Sequence, residues 1–233
     1  MLACFDIELS SWHYSLDPNV AVLTDAICLY KDSLDEDCLN VADKIGNAED
    51  RSLMIDDVHV LVTFYSRGGL TERIAVWLAE GAVQAGAKIR LRRARDIEPD
   101  ATILKDAGWS ANRDRMHEEY AAPTEADAAW ADVLALGIPA STGSMSVELA
   151  AYLQRLGAGA LSGKIGTGFT SGYGFDPQSM SALAALNTAM EAMGLAVLAR
   201  AADVKVPSAT DWELAHAQGH QIVAAASASR GKS

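Results

Sequence analysis

From residue 58 onward the chain alternates short β-branched or aromatic runs with longer segments of helical period, and this alternation constrains the fold more than any other feature. Residues 58–65 (VHVLVTFY) form a strand pattern that Ser66-Arg67-Gly68-Gly69 breaks. Residues 70–86 then place Ile74, Trp77, Leu78 and Ala82 at helical spacing. Residues 88–93 (KIRLRR) alternate as a second strand. A polar connection over 95–125 is long enough to carry function or structure of its own. Strand three is read at 133–136, a helix at 146–156 and strand four at 164–170. An Ala-rich helix over 179–193 stops at Gly194, a natural C-cap. Strand five is read at 195–200, and a last helix at 211–226 turns Ala215, Ile222 and Val223 inward. Such alternation implies an α/β protein with a parallel, doubly wound five-stranded sheet. Ligands of these sheets bind beyond the C-terminal strand ends, at the switch point, so the loops after strands one, three and four form the candidate site.

Half of the 233 residues are apolar, enough for a large core and too many for bulk disorder. The net charge of −12 is uneven. Residues 1–57 carry 13 acidic residues against Lys31, Lys44 and Arg51, a net of −10, which leaves −2 for the remaining 176. No basic stripe points to nucleic acid. No apolar run reaches the roughly 18 residues of a membrane span. The start, MLACFDIELSSWH, lacks the basic n-region of a secretory signal. Cys4, Cys28 and Cys38 are then read as reduced thiols of a cytoplasmic protein rather than as a zinc site with His13. The expected organisation is an acidic, poorly ordered arm over 1–56, a domain over 57–226 and a fraying tail over 227–233. Two readings of the arm stand side by side: a flexible segment, or translation that truly begins at Met54. Either way residues 1–53 are expected to be dispensable for folding.

Ser66-Arg67-Gly68-Gly69-Leu70-Thr71 joins a buried strand to a helix. Successive amides at the positive end of a helix, two glycines that permit close approach and two hydroxyls can cradle a phosphate without a lysine. An ordinary strand–helix turn would also use a glycine pair. The loop is neither a Walker A loop, which needs Gly-Lys-Ser/Thr, nor a three-glycine dinucleotide fingerprint.

The run from Val62 to Thr71, followed by Ala75 and Leu78, resembles the flavodoxin signature, with Thr63 the one departure from an apolar position. The second loop, Gly137-Ile138-Pro139-Ala140-Ser141-Thr142-Gly143-Ser144-Met145-Ser146, is similar to the Gly-Thr-Pro-Thr-Arg-Phe-Gly-Asn-Met-Ser stretch of Trp-repressor-binding-protein-type NAD(P)H:quinone oxidoreductases. Leu153 and Gly157 keep the register, the third loop from Phe169 to Gly174 resembles their Gly/Ser/Thr loop, and DWELAHAQG at 211–219 resembles their final helix. The likeness spans about residues 57 to 226. It implies a flavodoxin-like sheet of order 2-1-3-4-5, FMN as cofactor and NAD(P)H as co-substrate. It also implies two-electron reduction of a quinone, and a homo-oligomer. Carried over residue by residue, Ser66, Arg67, Gly68, Gly69, Leu70 and Thr71 hold the phosphate. Pro139, Ala140, Ser141, Thr142 and Gly143, with Thr170, Ser171, Gly172, Tyr173 and Gly174, flank the flavin ring.

The departures gather on the ring side. Gly68 replaces an aromatic, Ser141-Thr142 replaces Arg-Phe, and residues 201–210 form a short link where the family has a glycine-rich insertion with a ring-facing His. The ring is therefore expected to be more open, FMN binding weaker and acceptor choice permissive. A flavodoxin-like electron carrier acting on a protein partner, to which the acidic arm could dock, is the alternative, and a regulatory protein without turnover is a third. No catalytic residue or metal ligand is assigned. Thr170 stands where a nucleophile elbow needs Ser. His216 and His220, at i and i+4, are expected on a solvated helix face, and His59 in the core or on a sheet face. Tyr173 and Phe175 either stack on the ring or pack beside a glycine turn, and Trp109 is a remote ring candidate.

Overall fold

The computed structural model describes residues 57–140, 143–171, 177–198 and 211–230. Five strands, β1 (His59–Phe64), β2 (Lys88–Arg93), β3 (Val133–Ile138), β4 (Ile165–Thr170) and β5 (Ala196–Leu198), form one parallel sheet in the order β2-β1-β3-β4-β5. The helices described are α1 (Leu70–Gln84), α2 (Asp100–Ile103), α3 (Ala107–Glu119), α4 (Glu125–Trp130), α5 (Val147–Leu156), α6 (Pro177–Ala192) and α7 (Asp211–Arg230). This is the doubly wound flavodoxin-like arrangement expected from the alternation and the resemblance. The connection over 95–125 carries structure of its own, α2 and α3. Helix α7 runs past the expected boundary at 226, where Arg230 reaches Asp132 and the carbonyl of Asp57. Residues 1–56, with the acidic arm, Met54 and its cysteines, and the tail end 231–233 lie outside the described residues.

Strands β3 and β4 are buried along their whole length and β1 along all but His59, as parallel strands covered on both faces must be. Val60, Val62 and Phe64 face a core built with α1 and α7, whereas Leu61, Leu134 and Leu136 face one built with α5 and α6. Thr63 is completely buried, and its hydroxyl has no partner among the described residues. His59 stacks on Trp130 at 4.3 Å between ring centres, and its backbone amide donates to Asp132.

Local signals fix the helix ends. Thr124 and Asp127 form a reciprocal capping box that starts α4, and Ser146 caps α5 by accepting from the Leu149 amide. Asp127 does more than cap: Arg90 and Arg92 of the edge strand β2 both donate to its carboxylate, whose side chain is 5% exposed. Burial alone would raise its carboxyl, but hydrogen bonds from Arg92 and Thr124 outweigh that and hold it at about 2, against 3.8 for the free group. A depressed carboxylate stabilises the fold above its unfolded pKa and loses that contribution as pH falls through the folded value. Asp127 is therefore expected to add about 2 kcal/mol at neutral pH that fades between about pH 5 and pH 2. Urea unfolding across that range should show a shallower acid loss in Asp127→Asn.

Helices α1 and α7 cross backbone to backbone. A Cβ added at Gly81 would overlap the backbone of His216, and one added at Gly219 would overlap the backbone of Leu78, Gly81 and Ala82. The close crossing buries His216, which pairs with Glu80 at 3.1 Å and packs on Trp212. The solvated face expected for the His216/His220 pair is thus corrected for His216, because α1 lies directly against it; His220 is exposed. Gly81→Ala and Gly219→Ala are each expected to cost about 1–3 kcal/mol through backbone displacement, read as a lower urea midpoint.

Candidate functional site

The order of the sheet reverses direction between β1 and β3, and a cavity of about 460 Å3 lies at their C-terminal ends. The amide of Tyr65 donates to the Gly137 carbonyl and that of Ala94 to the Phe64 carbonyl, so pairing continues up to the point where the loops diverge. Ser66, Arg67, Gly68, Leu70 and Thr71 line the cavity on one side. Pro139 and Ser171 line it from the loops after β3 and β4.

The first loop is pre-shaped. The Ser66 hydroxyl accepts from the Gly69 amide at 3.0 Å, which leaves its own proton free to donate. Gly69 adopts φ 86°, a left-handed conformation that turns the chain into α1. The first helical bond runs from the Arg73 amide to the Gly69 carbonyl, so the amides of Leu70, Thr71 and Glu72 have no acceptor within the helix. A Cβ at Gly68 would meet nothing within 4 Å, so the loop there faces open space. Thr71 is 1% exposed and still lines the cavity. Amides and hydroxyls at the positive end of a 15-residue helix suit a phosphate.

A buried polar network supports this loop from below. Arg93, at the end of β2, is wholly buried; its Nη2 donates to the Ser66 carbonyl at 3.2 Å and to Asp96 at 2.8 Å. Asp96 also accepts from Tyr65 Oη at 3.1 Å and from Trp109 Nε1 at 3.0 Å. Arg67 Nε donates to Tyr65 Oη at 3.0 Å while its guanidinium lies 4.1 Å from the centre of the Trp109 ring. Burial pushes the Asp96 carboxyl up, but its bonds from Arg93, Trp109 and Tyr65 prevail and hold it below the ordinary carboxylate range. Burial raises Tyr65 well above an ordinary phenol, so it stays a donor to Asp96. On the other side of the loop Glu72 takes a two-pronged bond from Arg115 and a third from Tyr120.

Of the sequence-assigned residues, Gly69 shapes the loop without lining this cavity. The Ala140 amide donates to Ser171 Oγ at 2.8 Å and ties the second loop to the third. Thr170 is buried at the end of β4, and Gly143 sits at φ 59° in the turn before α5. Ser141, Thr142, Gly172, Tyr173, Gly174 and Phe175, with the link over 201–210, lie outside the described residues. Trp109 is not in the cavity lining; it braces Arg67 instead. The second loop read from the sequence already included Ser144, Met145 and Ser146; Tyr65, Glu98 and the first turn of α5, Val147 and Glu148, complete the wall and were given no site role by sequence reasoning. The Ser146 cap signal was available for α5, but nothing local indicated that its first turn faces Arg67.

Replacing Arg93 with Met removes the cation from a buried pair and leaves the Asp96 charge short of a donor. Arg93→Met is expected to lower stability by about 3–5 kcal/mol in urea unfolding, far more than a surface arginine.

Comparison with known proteins extends the picture. The chain is 36% identical over 116 residues to an NAD(P)H dehydrogenase (quinone) of Azorhizobium caulinodans, covering 48% of this chain and 55% of that protein. It is 33% identical over 116 residues to NAD(P)H dehydrogenase (quinone) 3 of Rhizobium meliloti, covering 48% and 52%. The chain thus spans about half the length of the curated relatives it matches. An oxidoreductase from Corynebacterium diphtheriae superposes with a TM-score of 0.50 at 14% identity, covering 76% of this chain and all of that one. No family model matches the chain. The resemblance read from the loops is thus met by curated quinone dehydrogenases, and the fold is flavodoxin-like. Among the described residues no helix is long and apolar enough to cross a membrane.

Proposed function

We propose that the chain binds FMN with its phosphate on the 66–71 loop and acts as an NAD(P)H:quinone oxidoreductase. One observation carries the reading: donors already set in place converge at the N-terminus of α1, on a cavity at the switch point. The similarity to quinone dehydrogenases over about half their length supports the activity.

The residues present fit the phosphate end of such a cofactor. The amides of Leu70, Thr71 and Glu72 and the hydroxyls of Ser66 and Thr71 would donate to its oxygens. Gly68, with open space where a side chain would stand, lets the backbone approach. Arg93 holds the Ser66 carbonyl turned inward, so that the loop presents amides rather than carbonyl oxygens. Pro139 and the Ala140–Ser171 tie set the far wall. When bound, the flavin supplies the hydride-accepting chemistry, and the protein's share is binding and orientation. None of the described residues is needed as a proton donor, since solvent reaches the open cavity. Cytoplasmic localisation belongs to the same proposal and agrees with the reading of Cys4, Cys28 and Cys38 as thiols.

Thr71→Ala removes one hydrogen bond to a charged group, expected to cost about 1.5–3 kcal/mol, or roughly 10- to 150-fold in FMN affinity. Calorimetric titration checks it, and unchanged affinity in a folded variant would overturn the assignment. NADH and NADPH oxidation with benzoquinone tests the activity. Flavin uptake without turnover would keep the site and overturn the reductase.

A further inference from the structure

Glu148, in the first turn of α5, is 4% exposed and lines the same cavity as the 66–71 loop. Its Oε1 is buried and has no hydrogen-bond partner among the described residues. A glutamate in a first helical turn is favoured by the helix dipole, but that benefit does not require burial. Nor is capping its task, since Ser146 already accepts from the Leu149 amide. None of the nearby described cations forms a hydrogen-bonded ion pair with it, although the Glu148 charge does act on Arg67 across the cavity. Arg67 shares the cavity, yet its guanidinium is engaged by Tyr65 Oη and the Trp109 face. Arg95 and Arg155 share with Glu148 an adjoining cavity of about 160 Å3, and neither forms an ion pair with it. A buried carboxylate oxygen with no hydrogen bond among the described residues costs stability.

The cavity is therefore chemically two-sided. Its loop side offers donors: amides, the Ser66 hydroxyl and the Thr71 hydroxyl. The α5 side offers an acceptor, the carboxyl group of Glu148. The complement is a ligand with an anionic group at one end and hydroxyl donors beside it, that is, a phosphate monoester of a polyol. We propose that Glu148 is the specificity-determining acceptor for the hydroxyls of such a chain, which in FMN is the ribityl phosphate. This deepens the FMN reading and rests on it. A second anionic group in that place would be rejected by the same carboxylate.

The test uses the full chain, with Glu148→Leu and Glu148→Gln beside wild type. Calorimetric titrations use FMN, riboflavin and lumiflavin, which carry the phosphorylated polyol, the bare polyol and neither. Glu148→Leu should weaken FMN and riboflavin by roughly 10- to 150-fold each, the loss of a hydrogen bond to a charged group, and leave lumiflavin within about twofold. Glu148→Gln keeps an acceptor oxygen and should retain FMN within about tenfold. Without ligand, Glu148→Leu should melt no lower than wild type, because a buried oxygen with no hydrogen bond among the described residues has gone. Equal loss for all three flavins with a lower melting point would mean a structural role and overturn the proposal. Tighter FMN in Glu148→Leu would mean that the carboxylate opposes the phosphate, and would overturn it as well. FMN uptake indifferent to Glu148 overturns this assignment alone. No FMN uptake by wild type overturns the cofactor reading and this assignment with it.

Discussion

Strand β1 is hydrogen-bonded along both edges, to β2 on one side and β3 on the other, and is covered by helices on both faces. A strand so enclosed can leave the sheet only at its end, and the order of the sheet turns outward on either side of it. The 66–71 loop, the turn after β3 and the end of β4 are therefore brought together by strand pairing. Each site residue inherits its place from this register. Thr71 is buried yet at the cavity because β1 delivers the chain directly into α1 there.

A loop that presents amides to an anion must keep its carbonyls occupied elsewhere. Arg93 does this from beneath, taking the Ser66 carbonyl, and Asp96 compensates the buried guanidinium. Asp96 in turn gathers Tyr65 and Trp109, so the residue after β1, the end of β2 and α3 are fixed relative to one another by one carboxylate. Burial of an ion pair is a weak source of stability. Its effect here is geometric: it sets the backbone orientation of a loop that has no lysine. The cation at Arg67 is exposed and is steered by Trp109 and Tyr65 rather than buried with the pair.

Among the buried polar groups with unpartnered atoms, Thr63 and Glu148 differ in their consequences. Thr63 carries a hydroxyl in the middle of the sheet, away from the cavity lining, that has no partner among the described residues, and nothing in the structure explains it. Glu148, on the cavity wall, carries a buried oxygen with no partner among the described residues. The first is a simple cost to packing. The second stands where a ligand could supply the missing donor, which is why a departure from packing logic there has functional meaning.

The sequence by itself determined the α/β class and the five strands. Burial on both faces leaves continuous apolar runs, and helices on a sheet leave a stripe of period 3.6, so both are written locally. It also marked the 66–71 loop, because glycine and hydroxyl positions in a strand–helix turn carry their own conformational signal. Helix α3 was not legible: it buries little beyond Trp109 and Met116, too few positions for a clear stripe. His216 was misjudged because Glu80 and the glycine crossing of α1 are 130 residues or more away in the chain. The Arg93–Asp96 support, the tie between Ala140 and Ser171 and the burial of Glu148 were decided only by tertiary structure. The physical reason is common to all three: a hydrogen-bond partner or a desolvating wall supplied by a distant strand or helix leaves no periodic or local trace, and exists only once the sheet has set its register.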